Sequence, residues 1–132
     1  MKGIVLASHG QLCEGMYQTT KLFMGEDIPQ YTYVPLMATD SAEDYGEKLA
    51  KAVVEVDSGD GAVVFVDLMG GTPYNRACML ISDKVEVIAG MNLSMVLELL
   101  GNRLSDTYDF TALVQTGKDG VLDVNQMFAE ME

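Results

Sequence analysis

Four short apolar runs punctuate the chain, and between them apolar residues recur at spacings of three and four. That alternation predicts βα units and a mostly parallel sheet. The first strand is read at residues 3 to 8, in Gly3-Ile4-Val5-Leu6-Ala7-Ser8. A helix over about 12 to 24 follows, with Leu12, Met16, Thr19, Leu22 and Phe23 on one stripe and Gly25 and Pro29 closing it. Tyr31 to Met37 is rich in strand formers but contains Pro35, which cannot donate to a central ladder and so predicts an edge strand.

Asp40 or Ser41 suits the cap of a second helix, carried by Leu49, Val53 and Val56 to the turn residues Asp57 to Gly61. Residues 62 to 67 form a third strand with almost no polar interruption, as expected of a central strand buried on both faces. Thr72 is placed as N-cap and Pro73 as first residue of a helix ending near Ser82. Val85 to Ala89 is the fourth strand, and a short helix spans about 94 to 101. The last thirty residues are less regular. Thr111 to Thr116 reads as helix, Gly117 to Gly120 as a turn, Val121 to Val124 as a further strand, and Val124 to Met131 as a terminal helix.

Right-handed crossovers with the Pro35 strand outermost give the order 2-1-3-4, an open α/β sheet in three layers with helices on both faces. The chain direction then reverses between strands one and three, and a crevice opens at their carboxyl ends. His9, the only histidine, lies at one side of it in Ser8-His9-Gly10. Asp67-Leu68-Met69-Gly70-Gly71-Thr72 lies at the other, with Gly90-Met91-Asn92 on the rim. A carboxylate on one imidazole nitrogen fixes the tautomer and leaves a lone pair on the other, which makes His9 a candidate nucleophile and Asp67 its orienting acid. Gly70 and Gly71 allow backbone N–H groups to converge, and the helix start at Thr72 adds a positive end and a hydroxyl, together a small anion cradle.

Each element also has an ordinary reading. A lone histidine is often structural, Asp67 is a good turn former, and paired glycines make a tight turn by themselves. His9 and Cys13 share a helical spacing, but two further ligands with suitable spacing are missing, so no metal is expected. Neither a phosphate-binding loop nor a dinucleotide fingerprint follows strand one, which argues against a nucleotide, and no cofactor is expected.

Composition narrows the class. At 132 residues one domain over 1–132 is expected, burying roughly two-thirds of its unfolded surface. Twenty acidic residues against eight Lys and Arg give a net charge of −12, which repels nucleic acid and anionic membranes and favours a basic protein partner. There is no secretory leader pattern and no run of roughly 18 apolar residues, so a cytoplasmic protein without membrane insertion is expected. Cys13 and Cys78 are expected to be reduced thiols.

Taken together, Ser8-His9-Gly10, the stretch Asp67 to Asn75 and Gly90 to Met95 resemble the IIA domains of the mannose family in the bacterial phosphoenolpyruvate-dependent sugar phosphotransferase system. The likeness runs from about residue 2 to 122, and the Asp-x-x-Gly-Gly-Thr-Pro-x-Asn segment is its specific part. It implies that His9 accepts a phosphoryl group on Nε2 from the carrier HPr and passes it to a histidine of a IIB subunit, which serves the membrane IIC and IID subunits. It also implies Asp67 as the orienting aspartate, Gly10, Gly70, Gly71 and Thr72 around the phosphoryl group, and a homodimer that exchanges a C-terminal strand, here Gly120 to Val124. Ser94 departs from the proline common in relatives, and Arg103 to Asp109 is polar and irregular. A phosphoryl donor subunit of a dihydroxyacetone kinase would use the same chemistry with another acceptor. A flavodoxin-like module that binds a small anion or nucleotide is the reading from a different class.

Overall fold

The computed structural model describes residues 1–131. Its elements are β1 (Gly3–His9), α1 (Leu12–Met24), β2 (Tyr31–Leu36), α2 (Ala42–Val56), β3 (Ala62–Val66), α3 (Gly71–Cys78), β4 (Val85–Ala89), α4 (Leu93–Asn102), α5 (Phe110–Asp119) and α6 (Val124–Glu130). The four strands form one parallel sheet in the order β2-β1-β3-β4, as the Pro35 argument predicts. Pro35 lies opposite Ser8 on the outer strand, where its missing N–H costs no central ladder bond.

Strand periodicity sorts the core into two layers. Ile4, Leu6, Val63 and Phe65 point to the face covered by α1, α4 and α5, where Met95, Leu99 and Leu113 meet them. Val5, Ala7, Val64 and Val66 point to the other face, against Tyr45, Leu49 and Val53 of α2 and Ala77 of α3. Every residue of β3 is fully buried, so the uninterrupted apolar run is the centre of the molecule. Ser41 caps α2 by accepting the N–H of Asp44 at 3.0 Å.

Four expectations need correction. Thr72 is not a cap, because α3 begins at Gly71 after Gly70 and uses no side-chain cap bond. Gly70 and Gly71, at φ 92° and 84°, carry the chain directly from the β3 turn into the helix and leave Thr72 inside its first turn. The helix also stops at Cys78 rather than near Ser82. Tight turns close it, and the Ser82 hydroxyl accepts the N–H groups of Lys84 and Val85 to turn the chain into β4.

Gly117 to Gly120 is not a turn. Asp109 caps α5, which runs on to Asp119, and Gly117 packs inside that helix against the Met95 side chain of α4. Nor do Val121 to Val124 form a strand in the single chain. Residues 121 to 123 are irregular and exposed, and α6 buries none of its residues.

The polar link from 103 to 109 is anchored despite its irregular pattern. Arg103 is buried, and its guanidinium donates to the carbonyls of Lys2 at 3.1 Å, Gln30 at 3.0 Å and also Pro29, tying the link to the entry ends of β1 and β2. Burial pulls its pKa down, and the neighbouring Tyr31 hydroxyl partly opposes that shift. Tyr108 donates to Glu86 of β4 at 2.6 Å. Among the described residues no helix is long and apolar enough to cross a membrane.

Candidate active site

β1 and β3 are adjacent, so their last residues emerge side by side, with His9 closing one strand and Asp67 following the other. The two side chains touch. His9 Nδ1 is 2.9 Å from Asp67 Oδ2, and the same oxygen accepts the backbone N–H of His9 at 3.0 Å. One carboxylate oxygen thus holds both the main chain and the ring of the histidine. With Nδ1–H donated to Asp67, the second nitrogen, Nε2, keeps its lone pair.

The two partners differ in exposure as this division of labour requires. The imidazole is 46% exposed, whereas the Asp67 side chain is only 8% exposed. Burial alone would raise the Asp67 pKa, but the hydrogen bonds from the His9 ring and backbone outweigh it and hold the carboxyl below its ordinary value. The acid is therefore a carboxylate wherever ordinary carboxylates are, and it is placed to balance any positive charge gained by the ring.

Gly71 stands against the working nitrogen. A Cβ on Gly71 would lie 2.7 Å from His9 Nε2 and 2.8 Å from Cε1, and its φ of 84° is strained for any side chain. Only glycine leaves the ring its place. Gly71→Ala is expected to retain the fold while slowing reaction at Nε2 on the order of 10²-fold, since a displaced nucleophile loses alignment. Single-turnover kinetics beside a circular dichroism spectrum will measure this.

Gly10 follows His9 in open space with φ 58°, and Gly70, at φ 92°, is equally open on the opposite side. Thr72 is half-buried one residue beyond Gly71, in the first turn of α3. The third loop joins at Met91, whose N–H donates to the Val66 carbonyl at 3.0 Å. Its Asn92 side chain caps α4 and donates to the Gly117 carbonyl, so it is committed to structure. Sequence reasoning missed the His9 backbone bond to Asp67, a contact no pattern of residue types encodes. It also missed an apolar fringe at the same strand ends, made by the exposed Leu12, Met37, Leu68 and Met69. Leu68 and Met69, set between Asp67 and Gly70 in a polar stretch, were the signal for it.

Cys13 is buried and Cys78 half-buried, both as free thiols. Among the described residues no group of three or more His, Cys, Asp or Glu side chains is arranged to hold a metal ion. A shallow groove of about 430 Å³ lies beside the site, lined by Gln11, Leu12, Gly15, Met16, Thr19 and Leu93. The strand ends present an exposed, oriented imidazole beside glycine-rich turns on an open face.

Known proteins are similar to this chain in sequence and in fold. The EIIA-man family model, described as PTS system fructose IIA component, matches residues 3–116. The PTS system mannose-specific EIIAB component of Escherichia coli K12 is 34% identical over 123 residues, which are 89% of this chain and 38% of that protein. The chain thus spans well under half the length of that relative. The PTS system fructose-specific EIIA component of Bacillus subtilis is 27% identical over 105 residues, 78% of this chain and 71% of the other. Among solved structures, the PTS IIA protein associated with the fucose utilization operon of Streptococcus pneumoniae superposes with a TM-score of 0.88 at 27% identity, covering 96% of each chain. The mannose/sorbose specific IIA subunit of Enterococcus faecalis gives 0.77 at 30% identity, covering 92% and 94%.

Proposed function

The chain belongs to the EIIA-man family of phosphotransferase-system IIA components, and from that premise we propose that it is a phosphohistidine carrier working through His9. The observation that supports this most is the 2.9 Å contact between His9 Nδ1 and Asp67 Oδ2, which leaves Nε2 as the reactive atom. In the forward step the Nε2 lone pair forms a P–N bond as the donor's P–N bond breaks, and the donor imidazole departs with the electron pair. Asp67 balances the charge the His9 ring gains. Gly10, Gly70, Gly71 and Thr72 surround the phosphoryl oxygens, through main-chain N–H groups, the start of α3 and the Thr72 hydroxyl. The reverse geometry serves delivery, so no metal or nucleotide is required.

The donor in this reading is phospho-HPr and the acceptor a histidine of a IIB subunit, with the membrane IIC and IID subunits reached through IIB. A protein partner suits the face. Leu12, Met37, Leu68 and Met69 offer apolar contact around an exposed nucleophile, where a small substrate would need an enclosing pocket. The net charge of −12 favours a basic docking surface and an association rate that falls with added salt. We place the protein in the cytoplasm as a single domain over residues 1–132. We also propose a homodimer in which Gly120 to Val124, which joins no sheet in the single chain, adds to the sheet of a second copy.

The test is reconstitution. With phosphoenolpyruvate, enzyme I and HPr, the protein is expected to acquire acid-labile, base-stable phosphate and to lose it on addition of a IIB protein. Phosphate that never appears, or tight nucleotide binding by calorimetry in its place, would sink the reading.

A further inference from the structure

Asp67 fixes the ring and N–H of His9, but something else must fix the turn that follows. Ser8, the preceding residue, is fully buried although polar, and both capacities of its hydroxyl are used. It donates to the carbonyl of Gly10 at 3.1 Å and accepts the N–H of Cys13 at 2.8 Å. α1 begins at Leu12, and Gln11 at its N-cap position makes no side-chain cap bond. The Cys13 N–H is therefore one of the helix's unpaired donors, and Ser8 satisfies it from three residues ahead of the cap.

These two bonds straddle His9. Gly10 adopts the left-handed φ of 58° and donates its N–H to the Leu36 carbonyl of β2 at 2.7 Å. Asp67 of the β3 side thus holds the N–H of His9, β2 holds the N–H of Gly10, and Ser8 holds the Gly10 carbonyl together with the first turn of α1. The ring has little room for error on that side, because Gly71 packs so close that a Cβ on it would lie 2.7 Å from Nε2.

We propose that Ser8 is a positioning residue for phosphoryl transfer, its hydroxyl clasping the His9–Gly10 turn so that the imidazole meets Asp67 with Nε2 free. The inference rests on the proposed function for its kinetic part only. Its spectroscopic part concerns the ring itself.

The experiment compares Ser8→Ala with Thr20→Ala. Thr20 is an equally buried hydroxyl of α1, bonded to the Tyr17 carbonyl and the Tyr31 hydroxyl along the helix from His9, and serves as the control for a structural loss. Two quantities are read: the ¹⁵N signals of the single imidazole, and single-turnover phosphoryl uptake from phospho-HPr across donor concentrations. Ser8→Ala is expected to shift the ring from the Nδ1–H tautomer toward a mixture and to lower the saturating rate about tenfold to a hundredfold, with half-saturation unchanged. Thr20→Ala is expected to change neither. Ring signals and rate in Ser8→Ala that match Thr20→Ala overturn the proposal. Should Ser8→Ala fail to fold, Ser8→Cys fills the same space with a poor hydrogen-bonding group; a ring shift and rate loss in the same direction support the clasp, and wild-type values in both overturn it. A wild-type protein that takes up no phosphate, with a Ser8→Ala ring that still shifts, refutes the carrier reading and leaves the positioning role standing.

Discussion

His9→Ala is expected to take up no phosphoryl group at all. The sequence contains one histidine, so no second imidazole can substitute when that ring is removed. The loss should be chemical rather than structural. The imidazole is nearly half exposed, and the alanine variant keeps the backbone N–H that donates to Asp67 at 3.0 Å, so the link between the ends of β1 and β3 survives. Stability by urea titration should stay within about 1 kcal/mol of wild type, the range for an exposed side chain outside the core. Acid-labile phosphate counted per chain, after incubation with phospho-HPr, reads the chemical part. Stable acid-labile phosphate in this variant would place the nucleophile elsewhere.

Asp67→Asn is expected to slow uptake on the order of 10³-fold without abolishing it, as happens when the acid that orients a catalytic histidine becomes an amide. Asp67 engages His9 through Oδ2 alone, while Oδ1 is buried without a protein partner. An amide cannot satisfy that arrangement. With its oxygen toward His9, the NH₂ is buried with nothing to donate to; turned round, it donates to Nδ1 and forces the proton onto Nε2, the atom that must attack. The neutral side chain also gives no compensation to a positive ring.

The same pair links stability to pH. The folded Asp67 pKa lies below its ordinary value, so the contact stabilises the fold above the ordinary carboxylate range and is lost as pH falls through the depressed folded value. In Asp67→Asn this acid-side loss should shrink. Urea titrations of both proteins at neutral and acid pH will measure it, together with the rate of uptake at neutral pH.

The strands and the meeting of His9 with Asp67 were legible because each rested on a strong physical constraint. Val63 to Val66 have no polar interruption, and a single proline was enough to send β2 to the edge and so make β1 and β3 neighbours. What failed to show in the sequence depended on contacts between distant elements. Gly117 looks like a turn residue until Met95 is seen packed against it, and Thr72 looks like a cap until two glycines of positive φ begin the helix ahead of it.

Arg103 gives the opposite lesson. A charged residue in a polar stretch reads as solvated loop, yet three main-chain carbonyls from two separate segments, Lys2 and Pro29-Gln30, enclose its guanidinium. The tail differs again. Val121, Leu122, Val124, Met127 and Phe128 are apolar enough to read as strand and helix, but the strand has no partner within one chain and the helix has nothing to pack upon. Ser8 was visible beside His9, but its function depends on which backbone groups remain unpaired at the start of α1, and residue types alone do not reveal that.

The most direct measurement is ³¹P and ¹⁵N nuclear magnetic resonance of the protein after phosphorylation by phospho-HPr, with the imidazole nitrogens labelled. Phosphorus coupled to Nε2 of His9, while Nδ1 keeps the proton it donates to Asp67, is the expected result. Phosphorus on Nδ1, or on any residue other than His9, contradicts the site geometry and the function built on it.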